Sequence, residues 1–563
     1  MDRPRTKQVC TIGPASADRI SELVAAGMDV ARINFSHGSQ DDHRSYVHAV
    51  RAAAHSARRS VAVMVDLPGP KIRLGELEGG VVSLETGATF TLRAASTALP
   101  DVGEMAGSVE PLDDADSAPE TVDESTALEE AAEDKSAASE TVVETTAAIA
   151  PISDAPAATQ VEQETAAASA SAEQEVDDTA GASMTFGGAT RTTVAIGDRS
   201  GAEVSIAGLA AQLQVGDRVL LADGAAELRV SAISGSEVQT EVVHGGLVRS
   251  RSGVNIPSGR LAGEGLTDTD RTAIPRALEL RVDLIAQSFV RSADDVRALR
   301  ALLPVDGPRV VAKIETRAAI DNFDAIAREA DGIVVARGDL GVDVPFEDVP
   351  MLQKDLIRRA TEAGRFTVVA TQMLESMTGA PRPTRAEASD VANAVLDGAD
   401  AVMLSAETAI GSFPVEALEA MERICVVAEP GHGAATSGGD PAASITAAAA
   451  ALAESSGAGA VWCFTRTGRT AEMLSLHRPS LPIVAFTLSP IVARRLAVRG
   501  GVIPLVLPGG GKSGPLIEQM ELAWRSQRPS GDYDTVMLVT TSTQPAGINR
   551  LELHRLSGAS AKR

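Results

Sequence analysis

Residues 309–339 read RVVAKIETRAAIDNFDAIAREADGIVVARGD. Both ends are short β-branched runs, RVVAKIE and GIVVARGD, while AIDNFDAIAREA between them returns its apolar residues at helical spacing. Strand, helix and strand within about thirty residues make a βαβ unit, whose two strands lie parallel in one sheet. Each strand is apolar on both faces, as burial on both sides requires, and turns polar at its C-terminal end. There Lys313 and Glu315, two positions apart, point to the same side. An ammonium beside a carboxylate at the end of a buried strand is either a structural ion pair or reaction chemistry. Alone, the ion pair is the commoner case.

The unit recurs. QVCTIG, DVARINFS, VAVMVDL, DLIAQSFV, FTVVATQ and DAVMLSAE bring the strands to eight, and ADRISELVAAG, SADDVRALRALL and AEASDVANAVLDGA supply helices that open at polar caps and close on Gly. Eight such units predict a (β/α)8 TIM barrel over residues 1–74 and 266–429. The repeat is interrupted once. After VMVDLPGPKIRLG no helix follows until TDTDRTAIPRALEL, and residues 75–265 carry β-type runs instead: VVSLETGATFTL, DRVLLADGAAELRVSAI and EVQTEVVHGG. They predict an inserted small β-barrel domain. Beyond Glu429 the linker PGHGAATSGGDPAAS leads to GAVWCFT, LPIVAFT and DTVMLVT alternating with helices, a C-terminal α/β domain over 430–563.

A chain of 563 residues exceeds one core, and with 44% hydrophobic but 2% aromatic residues its cores must be aliphatic. The net charge of −25 is local: residues 101–180 hold 22 Asp/Glu against Lys135 alone. That window has no aromatic residue and cannot offset its own ordering entropy, so 95–185 is expected to be a disordered acidic low-complexity insertion. Nothing elsewhere is basic enough to suggest nucleic acid. Cys10, Cys425 and Cys463 lie far apart without metal-like spacing, which fits small core residues in a reducing compartment. The start lacks a signal-peptide core and no run reaches the roughly 18 apolar residues of a membrane span. A cytoplasmic protein without membrane partners is expected.

Barrel enzymes place their chemistry at the C-terminal strand ends. Those ends carry Arg32, Asn34, Ser36 and His37; Asp66, Lys71 and Arg73; Ser288; Lys313 and Glu315; Arg337, Gly338 and Asp339; Thr371 and Gln372; Ser405 and Glu407. Glu315 and Asp339 suit Mg²⁺, which takes one or two carboxylates plus phosphate oxygens and water. Lys313 and Arg32 suit a phosphoryl group, stabilised mainly by positioned positive charge. Backbone N–H groups around Gly338 and Asp339 suit a small carboxylate. Together they describe a phosphorylated keto-acid.

TIGPAS, ARINFSHG, GPKIR, AKIE, ARGDLG, ATQMLESM, PRPTRAEASDVANAVLDGAD and MLSAETA resemble the pyruvate kinase family over nearly the whole barrel. The resemblance implies transfer of the phosphoryl group of phosphoenolpyruvate to ADP, giving ATP and, after protonation of the enolate, pyruvate. It implies Mg²⁺ (or Mn²⁺) and K⁺ as cofactors, and a homotetramer. Residue by residue, Arg32 matches the phosphate contact and Lys313 the lysine that steadies the moving phosphoryl. Glu315 and Asp339 match the metal ligands; Gly338, Asp339 and Thr371 match substrate-binding positions. Arg73 matches a nucleotide-phosphate contact, with Asn34 and His37 beside it, although His37 can equally cap its turn. Thr371 or Ser405, through ordered water, is the expected proton donor.

Four departures or additions qualify the resemblance. The family's K⁺ pocket is matched by Asn34, Ser36 and Asp66, yet DLPGPKIR stands where potassium-dependent members resemble DTKGPEIR. Lys71 is therefore expected to supply the monovalent charge itself. The insertion resembles the family's lid in LLADGAAELRV and GGLVRSRSGVNIPSG, but Ser252 replaces the usual lysine, with Arg251 adjacent. PGGGKSG at 508–514 is not a P-loop, since Val506 stands where the motif needs Gly. TRTGRTAEM, with Thr465, Thr467, Gly468, Arg469 and Thr470, either caps its helix or resembles a regulatory loop for a sugar-phosphate or nucleotide effector. Two other functions compete. A Mg²⁺-dependent lyase or aldolase explains the metal but not Lys313 with Arg32, nor the lid. A non-catalytic regulatory homologue leaves the complete set of barrel residues unexplained.

Overall fold

Eight parallel strands close a ring in which neighbours in sequence are neighbours in space. They are β1 (Lys7–Ile12), β2 (Val30–Asn34), β3 (Ala62–Asp66), β4 (Leu284–Gln287), β5 (Arg309–Ile314), β6 (Gly332–Ala336), β7 (Phe366–Ala370) and β8 (Ala401–Leu404). β8 pairs back onto β1 through Lys7 opposite Ala401 and Cys10 opposite Leu404. The computed structural model describes residues 3–94, 197–206, 208–256, 265–429, 441–508, 515–527, 533–541 and 548–557. The acidic insertion at 95–185 and residues 509–514 of PGGGKSG lie outside them.

Strand alternation builds two cores. Val9, Val30, Met64, Leu284, Val311, Val334, Val368 and Met403 fill the barrel interior. Cys10, Ala31, Val65, Ile285, Ala312, Val335, Val369 and Val402, one position out of phase, meet the surrounding helices. Four of those helices open on reciprocal capping boxes, Ser39 with Asp42, Thr267 with Asp270, Ser292 with Asp295 and Thr384 with Glu387. The helix read through AIDNFDAIAREA is instead two, Arg317–Asp321 and Phe323–Glu329. The break falls at Asn322, whose amide donates to Arg291 O and Ala318 O. A short polar side chain that bonds nearby backbone competes with a continuous helix.

The domain inserted after β3 has its own core, including Leu74, Phe90, Leu92, Leu209, Leu228 and Val242. It consists of a six-stranded sheet, in the order Val254–Asn255, Arg218–Leu221, Ala226–Ser234, Glu237–His244, Thr89–Ala94, Gly201–Val204, and a ribbon of Gly246–Arg249 with Val81–Leu84. The two edges of that sheet are joined through Arg73, which bridges Gly253, and Leu74, which bridges Val204, so it curls round as the expected small β-barrel. The C-terminal domain is a sheet in the order Val502–Val506, Ile483–Thr487, Val461–Phe464, Thr535–Thr541, Ile548–Arg555, parallel except for the last strand. It is joined to the barrel through Asp283, a buried carboxylate just before β4. Asp283 accepts from Arg51 at 2.7 Å, from Val63 N at 2.9 Å and from Arg494 of the C-terminal domain at 2.8 Å. No helix among the described residues is long and apolar enough to cross a membrane.

Candidate active site

The inner face of each strand ends in chemistry. The residue two positions beyond the last apolar inner residue is Arg32 after Val30, Asp66 after Met64, Ser288 after Ala286, Lys313 after Val311 and Ser405 after Met403. Period-two alternation alone aims them at the barrel axis. Asp66 is their hub. Its Oδ2 lies 2.6 Å from Arg32 Nη2, and its Oδ1 lies 3.3 Å from Lys313 Nζ and 3.2 Å from the Ser288 hydroxyl. Lys313 also donates to Ser288 Oγ at 2.8 Å and sits 3.0 Å from Glu315 Oε1. Burial opposes ionisation of Asp66, but Lys313 and Arg32 outweigh it and hold this carboxyl below the usual range. For Lys313, burial is likewise outweighed by Asp66 and Glu315, and its pKa is raised. Both groups are therefore charged.

Sequence reasoning missed two contributors here. Thr11 accepts from Arg32 Nη1 at 2.9 Å and donates to Leu404 O at 2.9 Å, fixing the guanidinium. It follows Val9 on the inner face, so alternation was a usable signal. The backbone N–H of Phe289, at a φ of 54°, donates to Glu315 Oε2 at 2.7 Å. A main-chain donor leaves no trace in residue type.

Glu315 is 1% exposed, with the Phe289 N–H on its Oε2 and the Lys313 ammonium 3.0 Å from its Oε1. Burial first, then repulsion from Asp339, raise its pKa against the opposing pull of Lys313. Two carboxylates that repel each other at the mouth, one of them fully buried, fit a divalent cation. Among the described residues no three His, Cys, Asp or Glu side chains gather as a metal cluster. A two-carboxylate Mg²⁺ site does not require one. Lys71 does not take the geometry expected of it. Its ammonium reaches across the mouth to Asp339 Oδ1 at 3.0 Å, while Asp66 is engaged by Arg32 and Lys313. The physical reason is charge: Asp66 is already compensated twice, whereas Asp339 stands beside a second carboxylate.

β6 runs into the helix Arg337–Asp343, which presents Gly338 and Asp339 to the mouth. The Gly338 N–H, expected to face a substrate carboxylate, donates to Thr371 Oγ1 at 2.7 Å. A Cβ at Gly338 would lie 3.3 Å from that oxygen, so glycine permits the approach. Thr371 and Gln372 both adopt left-handed backbone, with φ of 67° and 54°. Arg337 holds them there: Nη2 donates to Thr371 O at 2.8 Å and Gln372 O at 3.2 Å, while Nη1 lies 2.6 Å from Asp390. On β8, Ser405 N and Leu374 N donate to Glu407 at 2.7 and 3.1 Å, tying the last two strand ends together.

On the nucleotide side, Asn34 Oδ1 accepts from Ser36 N at 3.1 Å. Burial, Arg73 and Arg32 all lower the pKa of His37, so the imidazole is neutral in a positive surrounding. Arg73 donates to Arg251 O at 3.1 Å, and Arg251 binds Glu76 at 2.7 Å. Ser252 closes its turn by accepting from Arg249 N at 3.2 Å. In the C-terminal domain, Thr465 Oγ1 accepts from Gly468 N at 2.9 Å and Gly468 has a φ of 97°. Thr465 is thus a buried turn-former, while Thr467 and Arg469 are exposed and Thr470 half-buried.

Two family models match the chain: the pyruvate kinase barrel domain over residues 3–105 and 130–418, and the pyruvate kinase alpha/beta domain over 443–549. The chain is 34% identical to the pyruvate kinase of Mycobacterium tuberculosis (strain ATCC 25618 / H37Rv) over 563 aligned residues, covering 98% of both. It is 35% identical to that of Mycobacterium intracellulare, again covering 98% of both. Identity to the pyruvate kinase of Geobacillus stearothermophilus is 32%, over 99% of this chain and 81% of the relative.

Proposed function

The chain belongs to the pyruvate kinase family and is a phosphotransferase between phosphoenolpyruvate and ADP; from that premise we propose how its own residues do the work and that no K⁺ is needed. Lys313 and Arg32 bind the phosphoryl oxygens, and Asp66, Ser288 and Thr11 hold those two cations in place beforehand. Preorganised charge of this kind needs no rearrangement at the moment of transfer. Mg²⁺ (or Mn²⁺), held by Glu315 and Asp339, would supply neutralising charge on the shared oxygens. Thr371, beside Gly338 and Asp339, positions the keto-acid end, and Thr371 or Ser405 delivers the enolate proton through water. His37, Asn34 and Arg73 line the nucleotide side.

Lys71 supports the potassium-free reading, because it carries a fixed ammonium into the mouth. Loop 465–470 is proposed to take a sugar-phosphate or nucleotide effector, and the enzyme to be a cytoplasmic homotetramer, both by family likeness. The observation that carries the mechanism is the shared inner-face network of Arg32, Asp66 and Lys313. It is tested by a coupled assay for pyruvate. Lys313→Met should lower kcat at least about 10²–10³-fold, and unchanged turnover would refute the assignment.

A further inference from the structure

A second cation-rich site lies on the flank of the barrel. The helix Gln40–Ser56 turns one stripe, Gln40, His43, Arg44, Val47, His48 and Arg51, toward a cleft of about 580 Å³. That size suits a small organic ligand. Its far wall is the end of the helix Asp268–Glu279, with Arg276, Glu279 and Arg281, and Arg494 of the C-terminal domain closes one end.

The charges in this cleft do not balance. Arg51 and Arg494 share Asp283 at 2.7 and 2.8 Å, and Arg44 pairs with Asp41 at 2.9 Å. Arg276 and Arg281 have no carboxylate within ion-pair distance among the described residues. The Arg276 Nε is buried with no acceptor among them. A buried guanidinium N–H without a protein acceptor favours an acceptor supplied by a ligand or by water. An aromatic pair lines the same cleft. Phe35 stacks on His43 with ring centroids 4.5 Å apart and planes 8° apart, beside buried Val47. Burial lowers the His43 pKa, and the Arg276 charge reaches the ring and contributes to that lowering, so the aromatic pair lies beside the basic wall.

The geometry points to a binding site, separate from the barrel mouth, for a small phosphate-bearing metabolite. Its phosphate lies on the Arg276 and Arg281 guanidinium groups, with Arg51 and Arg494 behind them. Its organic part lies along Val47 toward the Phe35–His43 pair. Guanidinium forks match phosphate oxygens two at a time, which favours phosphate over a monocarboxylate. An occupant touches a C-terminal-domain helix through Arg494 and, through Phe35, the residue next to Asn34 at the end of β2.

Metal-free isothermal titration with inorganic pyrophosphate, using the full chain, tests this. Arg276→Gln with Arg281→Gln should weaken one binding event at least about 10-fold. Arg469→Ala should retain that event, and kcat without pyrophosphate should be unchanged in the double variant. Binding in wild type no greater than in the double variant overturns the proposal. Glu279→Gln, which removes the acid from the wall, decides independently should the double variant not fold. Binding tightened about 3-fold supports the site; unchanged or weaker binding overturns it.

Discussion

At the residue scale, Asp66 sets the charge state of the mouth. Its pKa is depressed, so the stability it contributes is present above its unfolded value near 3.8 and is lost as pH falls through its lower folded value. Lys313 is raised, so its contribution is present below 10.5 and is lost as pH rises through its higher folded value. Between those limits neither group titrates. Asp66→Asn leaves Lys313 and Arg32 facing each other without their shared anion. Chemical denaturation should show a loss of about 3–5 kcal/mol, and the pH–rate profile should gain an alkaline limb as the Lys313 pKa falls. An unchanged profile would mean that Glu315 alone sustains the ammonium. Lys71 carries a sharper expectation. Wild type should turn over in buffer free of K⁺ and NH₄⁺, whereas Lys71→Glu, which puts two acids beside Glu315, should require K⁺. The identities of these residues were legible from strand alternation. The pairing of Lys71 with Asp339 was not, because its two residues are 268 positions apart and the choice depends on which carboxylate is already compensated.

At the element scale, strand ends are fixed by backbone capture rather than by the strands themselves. The two left-handed residues after β7 cost about 1–3 kcal/mol each, and Arg337 stabilises both through their carbonyls. Arg337→Met should let Thr371 drift and lower kcat about 10²-fold, with a lower melting temperature. Arg337→Lys should not rescue it, because one ammonium cannot span Asp390 and both carbonyls. Rescue by lysine would reduce Arg337 to a point charge. The eight strands could be read from composition because each is a short apolar run closed by polar residues. The clamp could not, since its partners lie 34, 35 and 53 residues away and two of them are carbonyl oxygens. The break at Asn322 escaped for a related reason: apolar spacing continues across it while a side-chain amide interrupts the backbone.

At the scale of the whole molecule, the inserted domain keeps its register across the acidic segment. Thr89–Ala94 and Gly201–Val204 pair in parallel, Thr91 opposite Gly201 and Ala94 opposite Val204. The connection must return along the length of that pair, some 13 Å at about 3.3 Å per residue. Deleting residues 101–180 leaves ample chain for the return. Circular dichroism and the coupled assay should show an unchanged fold and kcat within about twofold, by the tolerance of long surface loops to length. A collapse of either would give the acidic segment a structural part. The barrel, its interruption and the third domain were all legible, because composition shifts mark each boundary. The segment that joins the edges of the inserted β-barrel, Arg73–Leu74 against Gly253 and Val204, was not, since alternation specifies faces and leaves long-range pairing to geometry.

Asp283 has a consequence for anyone recombining these modules. One carboxylate answers to a flanking helix, a barrel strand and the C-terminal domain together. A chimera that borrows its final domain from a relative must therefore bring a cation at the place of Arg494. Without one, the graft seals an underpaid anion into its seam, however well each half folds by itself.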